Sequence, residues 1–486
     1  MNCRQITTFA ANGTGYPVEN TLPVTPEADE PRHLESGVIN LYPDITYQTI
    51  QGFGGAMTDS AAYLLSTLPP QARQEAMDLL FTEKGNRFSI IRVPLDSCDY
   101  SLEEYQAVAD PVADPEWKTF DMTRNFQYIL PALKEALALC GPSASVLLSP
   151  WSPPWQWKTP PKPLKNDAIV YGELPGRPNA VDHSKPQRNN GGSLKPQHYG
   201  DWARYLVRMV QAYLDQGVPV TMLSIQNESI AATNWDSCVW TAQEQKTFLR
   251  DHLYPAIKAA GLADQVGLYI WDHNKERVLE WTRDLVDDET APMIAGVAFH
   301  WYSGDHFEAV KMTAEQYPGL NLLFSECCPL HQPGKAGPAW LTKKTPETVE
   351  QEDAVNYAHD IIGNLNAGME KWIDWNFCVD ENGGPRHVDF GFSAGMIVSG
   401  GAFHTNLIFD YVGHFSRYIR PGAQRAGFSR CDAHVELTAA KNPDGSLAVV
   451  VLNQENEDRA YAFRIEGQVI RASFPARTIS TLLIEA

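Results

Sequence analysis

No stretch of this sequence reaches the run of about 18 apolar residues that a membrane-spanning helix needs, so stable insertion into a bilayer is not expected. The opening segment, MNCRQITTFAANGTG, lacks the apolar centre of a secretory leader, and a cytoplasmic chain is the expectation. Positive charge is short: 39 Lys and Arg stand against 59 Asp and Glu, a net charge of −20, which makes nucleic acid and anionic lipid surfaces poor partners. Cysteine is sparse, with 8 in 486 residues, and no CxxC pair occurs, which excludes zinc ribbons and thioredoxin-type sites. Reduced thiols are expected rather than a disulfide framework. HExxH and EF-hand patterns are absent and the 13 histidines show no ligand spacing, so no metal and no cofactor is expected.

What is present is ordinary globular material, 43% hydrophobic and 20% charged, which excludes disorder as the main state. From 46 to 418 one pattern repeats eight times: a short β-rich apolar run, a polar or Gly/Pro-containing joint, then an amphipathic helical stretch. The strand candidates begin at Thr46, Phe88, Ser145, Val220, Val266, Ile294, Asn321 and Lys371. Their continuous apolar character fits strands buried on both faces. Stretches between them, such as DWARYLVRMVQAYL, repeat apolar residues at three and four, as helices packed on a barrel do. Eight such units in order predict an α/β fold, a (β/α)8 TIM barrel over 46–418. The flanks, 1–45 and 419–486, carry short strands and turn signals and are each too small to bury much core alone. They predict an accessory β-sandwich formed from the N- and C-terminal segments. The third connection, from Lys158 to Tyr199, is unusually long and rich in Pro, Gly and Asn.

Chemistry in such a barrel sits where the strands end. Those ends carry Asp59, then Arg92, Asp96 and Asp99, then Trp151 and Trp155, Asn227 and Glu228, Asp272 and His273, His300, Trp301 and Tyr302, Glu326, and finally Trp375 and Asn376. Ring faces stack on the CH faces of sugars while carboxylates and amides bind hydroxyls, so the mixture suits a carbohydrate. Hydrolysis of a glycosidic bond needs two carboxyl groups flanking it, and Glu228 with Glu326 is the best-placed pair. Position alone leaves each open to the plainer role of a rim salt bridge, and each tryptophan to plain packing.

The motifs QGFGGAMTDSAA (51–62), IIRVPLDSCDYS (90–101), LLSPWSPP (147–154), SIQNES (224–229), AFHWYSGDHF (298–307), LLFSECC (322–328), WIDWNFCVDENGGP (372–385) and YVGHFSRYIRPGAQR (411–425) occur in order over nearly the whole barrel. Together they resemble the glucosylceramidase-type branch of glycoside hydrolase family thirty. The resemblance implies a retaining β-glycosidase with Glu228 as acid/base and Glu326 as nucleophile. It carries sugar-binding roles over to Asp59, Trp151, Asn227 and Trp375, and places His300 and Tyr302 beside the nucleophile. It implies an exo-acting β-glucosidase that takes a β-glucoside or a glycolipid-type substrate, with a homo-oligomer left open. An endo-β-1,6-glucanase, a β-fucosidase or a β-xylosidase on the same scaffold remains as an alternative, and a carbohydrate-binding protein with a decayed site as another. Two departures stand out. Ser229 follows the acid/base where the family usually has Pro, which frees the backbone that Pro would fix. About thirty residues look inserted between Lys158–Thr159 and the GGSLK segment at 191–195, over the substrate face, where they are expected to wall off part of the site or to be exchanged with a neighbouring subunit.

Overall fold

Eight runs of apolar residues form eight parallel strands that close on one another: Gly52–Ala56, Ile90–Leu95, Ser145–Pro150, Val220–Ser224, Gly267–Asn274, Gly296–His300, Asn321–Glu326 and Lys371–Asn376. The computed structural model describes residues 1–9, 18–30, 36–160, 189–233, 235–335, 345–388 and 391–485. Side chains alternate between two cores, as strand pleating requires. Ile90, Leu147, Met222, Tyr269, Ala298, Leu323 and Ile373 fill the barrel interior. Their neighbours Ile91, Val146, Leu148, Leu322, Phe324 and Trp372 point outward into the layer between strands and helices. Gly54 permits the first and second strands to approach, since a Cβ there would sit 1.6 Å from the Ile90 carbonyl oxygen.

Helices cover the barrel with the faces that spacing predicts. In Tyr199–Asp215 the buried residues are Tyr199, Trp202, Ala203, Tyr205, Leu206, Met209, Val210 and Tyr213, one stripe at intervals of three and four. Asp59–Thr67 starts at Thr58, whose side chain accepts from the Ala61 amide and fixes the first turn.

The run expected to open the barrel at Thr46 divides into two strands. Residues 46–50 complete the long strand Val38–Ile50, which pairs with Ala423–Ser429 outside the barrel. Thr46, Tyr47 and Thr49 are exposed there, whereas a barrel strand is buried on both faces. Gly52, at φ +139°, turns the chain from one sheet into the other.

Both chain ends build the accessory domain. Asn2–Phe9 pairs antiparallel with Thr478–Glu485, within a ten-stranded sheet that also takes in Val38–Ile50 and the strands after residue 422. Its core joins Ile39 and Leu41 from the N-terminal segment to Val449, Val451, Phe463, Phe474, Leu482 and Ile484 from the C-terminal one. No helix among the described residues is long and apolar enough to cross a membrane.

The two domains meet at Leu407–Ser416, where His414 is buried between Thr8 and Thr481, with Nε2 and Nδ1 each 2.8 Å from a threonine hydroxyl. Burial, and then the charge of Arg417, pushes the His414 pKa down from 6.5 to about 3. Above pH 6.5 neither folded nor unfolded chain is protonated there. As pH falls below that value only the unfolded chain takes up the proton, so stability is lost. The loss is expected to reach about 2 kcal/mol at pH 5. Denaturant unfolding of wild type and His414→Asn at pH 7 and pH 5 checks this: the variant should lack that share of the pH dependence.

Candidate active site

Regular strands alternate their side chains and would send half the strand-end residues away from the axis. Three strands escape this with an extra residue at the C-terminal end. The register slips between Ala298 and Phe299, where Asp272 is the extra residue of the fifth strand and turns in beneath the site next to His273; it slips again opposite Ser325, and again opposite Trp375. Such bulges re-aim side chains at a rim. Asp272 takes φ +49° and Glu228 the same value, left-handed conformations that ordinary residues adopt at a cost. At Glu228 the strain is held by its amide on the Asp272 carbonyl at 2.8 Å and by its carbonyl, which accepts from the Ala231 amide at 2.8 Å.

Ser229, where the sequence pattern led one to expect a freer backbone, is clamped by its side chain. Its hydroxyl donates to the Trp271 carbonyl and accepts from Gln245 Nε2, both at 2.9 Å. The carbonyl of Ser229 accepts from the Trp240 amide at 2.7 Å. A hydroxyl anchored at both ends thus does the fixing that a proline ring would do through φ.

Arg92, fully buried, organises the floor. Its Nη1 donates to Glu326 Oε2 at 2.5 Å, and its Nη2 donates to Asn227 Oδ1 at 2.7 Å and to Asp272 Oδ2 at 3.0 Å. The bond to Asn227 Oδ1 fixes the amide, so Nδ2 is the group left to face a ligand. Asp272 also accepts from the hydroxyls of Ser149, Ser224 and Ser325. Burial alone would raise its pKa, but Arg92, His300 and Ser224 hold it far below the usual carboxylate range. Tyr302 donates to the other oxygen of Glu326, Oε1, at 3.0 Å.

His300 bridges the two glutamates: Nδ1 lies 3.6 Å from Glu228 Oε1, and Nε2 lies 3.1 Å from Asp272 Oδ1 and 3.9 Å from Glu326 Oε2. Burial works against its charge, yet the surrounding carboxylates of Glu326, Asp272 and Glu228 hold its pKa up to about 9. The two glutamates titrate as a pair. Burial pushes Glu326 up and the charge of Glu228 adds to it, against His300 and Arg92. Burial acts on Glu228 as well, where His300, His273 and Arg92 outweigh it. Those directions favour the shared proton on Glu326, whereas the direct contacts favour it on Glu228. The contacts decide: Arg92 and Tyr302 donate to Glu326, while His300 lies at 3.6 and 3.9 Å from the two carboxylates and hardly discriminates between them.

The pocket above this floor, about 400 Å³ with its open mouth included, is lined by Asp99, Trp151, Asn227, Glu228, Trp235, Tyr302, Glu326, Leu330, Trp375 and Phe392. Trp151 and Trp375 stack at 5.2 Å, with the Arg92 guanidinium 4.8 Å from the Trp151 ring. Of the eight residues expected from sequence, Trp151, Asn227, Glu228, Tyr302, Glu326 and Trp375 therefore converge on one pocket. His300 lies behind it, fully buried. Asp59 is elsewhere: it opens the helix after the first strand, where Arg124 grips both its oxygens at 2.9 and 2.7 Å and the Leu102 amide donates to it. Asp99 is the carboxyl on the pocket wall instead. Burial first, and then the charges of Glu326 and Glu228, pushes it well above the ordinary carboxylate range. Both residues stand at strand ends, and which one reaches the pocket depends on the loop after the second strand, which spacing does not reveal. Trp235 and Phe392 arrive on irregular loops that carry no periodic signal. The base of the long third connection is pinned by Lys158, whose buried ammonium donates to the carbonyls of Asn189, Gly191 and Ser237. The expectation that its inserted part walls off the site falls on 161–188, outside the described residues.

Two neighbouring carboxyls set among ring faces at the C-terminal end of a parallel barrel suit the hydrolysis of a glycosidic bond, and the chain is a glycoside hydrolase. It belongs to glycosyl hydrolase family 30: the family's TIM-barrel domain matches residues 50–419 and its β-sandwich domain residues 422–482. It is similar to lysosomal acid glucosylceramidase of Mus musculus, 29% identical over 87% of this chain and 78% of that one. Among solved structures it is similar to SrfJ from Salmonella typhimurium, with a TM-score of 0.86 and 29% identity over the full length of both chains. The endo-β1,6-glucanase BT3312 also superposes over both full lengths, with a TM-score of 0.81 and 25% identity.

Proposed function

We propose that this enzyme is an exo-acting, retaining β-glucosidase of glucosylceramidase type. The observation that carries this reading is the pocket itself, a small chamber closed below by Arg92 and flanked by the Trp151 and Trp375 rings, suited to one terminal sugar rather than to a polymer running through. Glu326, held as carboxylate by Arg92 and Tyr302, attacks the anomeric carbon, and Glu228 gives its proton to the departing aglycone oxygen. Water then enters, Glu228, now a carboxylate, takes a proton from it, and the water oxygen attacks the anomeric carbon and releases Glu326 from the glycosyl ester. Asn227, its amide set by Arg92, donates through Nδ2 to the sugar 2-hydroxyl, a contact that tightens as the ring flattens. Trp235, Phe392 and the exposed Leu330 give the pocket rim an apolar character suited to an aglycone with a hydrophobic part, such as a glycolipid.

The similarity to an endo-β1,6-glucanase favours a second reading, cleavage within a β-1,6-glucan. A panel of aryl β-glucoside, aryl β-fucoside, aryl β-xyloside, glucosylceramide and β-1,6-glucan, scored for rate and product length, separates them. Free glucose from the first product onward supports the exo reading; oligosaccharides released early from the glucan would replace it with the endo one.

The pocket carboxyl is open to a direct test. Asp99→Ala is expected to lower kcat/KM on the preferred glucoside by roughly 10- to 100-fold, about 1.4–3 kcal/mol of lost sugar contact, with the fold intact. Asp59→Ala should instead act on stability, because it removes the two-point partner of the Arg124 guanidinium and leaves it only Glu103. Kinetics and denaturant unfolding on both variants check the pair. Reversed outcomes would return the sugar-binding role to Asp59.

A further inference from the structure

Among the described residues one group of three or more His, Cys, Asp and Glu side chains brings its donor atoms together: Glu228, His273 and His300, all within 4.8 Å of one another. Glu228 Oε1 lies 3.5 Å from His273 Nδ1 and 3.6 Å from His300 Nδ1. Ligands at about 2.0–2.1 Å from a tetrahedral zinc ion stand about 3.4 Å apart, so these two edges already have the required length. Both Nδ1 atoms are buried and neither makes a hydrogen bond, on rings only 8% and 0% exposed. Both face the same Glu228 oxygen at more than hydrogen-bond length, a spacing that an ion held among the three atoms would account for.

The surroundings of His300 match what metal-bound imidazoles have. Its Nε2 faces Asp272 Oδ1 at 3.1 Å, and Asp272 is itself fixed by three serine hydroxyls and Arg92. A carboxylate behind the ring holds a proton on Nε2, so that Nδ1 is the nitrogen that gives up its proton to an entering ion. His273 reaches the same point because the bulge in the fifth strand brings it inward together with Asp272.

We propose that Glu228, His273 and His300 form a zinc-binding site, with two imidazole nitrogens and one carboxylate oxygen as ligands and a fourth position open to the sugar pocket. Imidazole donors select zinc and its transition-metal neighbours over magnesium or calcium, which prefer oxygen. Entry of the ion releases any proton held on either Nδ1 or on Glu228. A coordinated Glu228 has no proton to give a leaving group, so zinc and turnover exclude each other. Binding stands on the geometry alone; its inhibitory consequence rests on the acid/base role of Glu228.

The test uses the full chain, stripped with a chelator and titrated with Zn²⁺ by calorimetry, and with Co²⁺ as a visible-absorption probe. One zinc per chain is expected, with the d–d bands of a four-coordinate site for cobalt. His273→Gln should weaken zinc at least tenfold, and where that variant does not fold, Glu228→Gln serves the same purpose. Cys431→Ser, which removes the exposed thiol, should leave the affinity unchanged. Hydrolysis of an aryl glucoside should be inhibited with a constant equal to the zinc dissociation constant, each variant being compared with its own metal-free rate. Absence of stoichiometric binding at submillimolar zinc, or equal affinity in wild type and His273→Gln, overturns the site. Binding that depends on His273 but leaves hydrolysis untouched upholds the site and removes Glu228 from the acid/base role instead.

Discussion

Glu326→Gln is expected to hydrolyse an aryl β-glucoside at least about 10³-fold more slowly than wild type, on the order of 4 kcal/mol in the barrier. The amide keeps the shape of the side chain and can still meet Tyr302, but it has no charge for Arg92 and no oxygen nucleophilic enough to form a glycosyl ester. No other carboxyl replaces it: Asp272 is enclosed by Arg92 and three serines below the floor, and burial and its neighbours' charges favour the protonated form of Asp99. Circular dichroism and denaturant unfolding separate loss of chemistry from loss of fold, since the variant leaves Arg92 with one carboxylate partner, Asp272. Near-wild-type turnover in a preparation free of contaminating glycosidase would remove Glu326 from the reaction.

The second large effect is expected at Glu228 and depends on the substrate. In Glu228→Ala, glucosides with alkyl aglycones should lose about 10²- to 10⁴-fold, because an alkoxide cannot depart without a proton. Glucosides of acidic phenols should lose far less in the first step, and should then stall at the ester because no base activates water. The signature is a burst of phenol followed by slow turnover, seen by rapid mixing. Equal losses on good and poor leaving groups, without a burst, would mean that Glu228 supports the structure and not the proton transfer.

Much of the architecture was readable from pattern because barrel strands are continuous apolar runs and their helices carry one apolar stripe. The error at 46–50 has the same origin: TYQTIQGFGG reads as one β-rich run, and only the exposure of Thr46, Tyr47 and Thr49 shows that its first half belongs to another sheet. The site was legible where a residue closes or closely follows a continuous apolar run, as Glu326 and Asn227 do. It was obscured where the backbone departs from regularity. The bulge that turns both Asp272 and His273 toward the site from beneath breaks the alternation on which a sequence reading depends. Asp99 and Asp59 each follow a strand, and the choice between them rests on Arg124, which lies 65 residues beyond Asp59 and claims its carboxylate. Ser229 shows the reverse case, a local change that looks loosening in sequence and is offset by a hydrogen bond from Gln245, 16 residues away.

The central claim is double displacement through Glu326, and the stereochemistry of the first product tests it most directly. Proton NMR of an aryl β-glucoside digested at high enzyme concentration should show the β-anomer of glucose appearing first, with the α-anomer growing in later at the rate of spontaneous mutarotation. Two inversions at the anomeric carbon leave no other result. An α-anomer formed first would mean a single displacement by water, with Glu326 acting as a base, and would contradict the account.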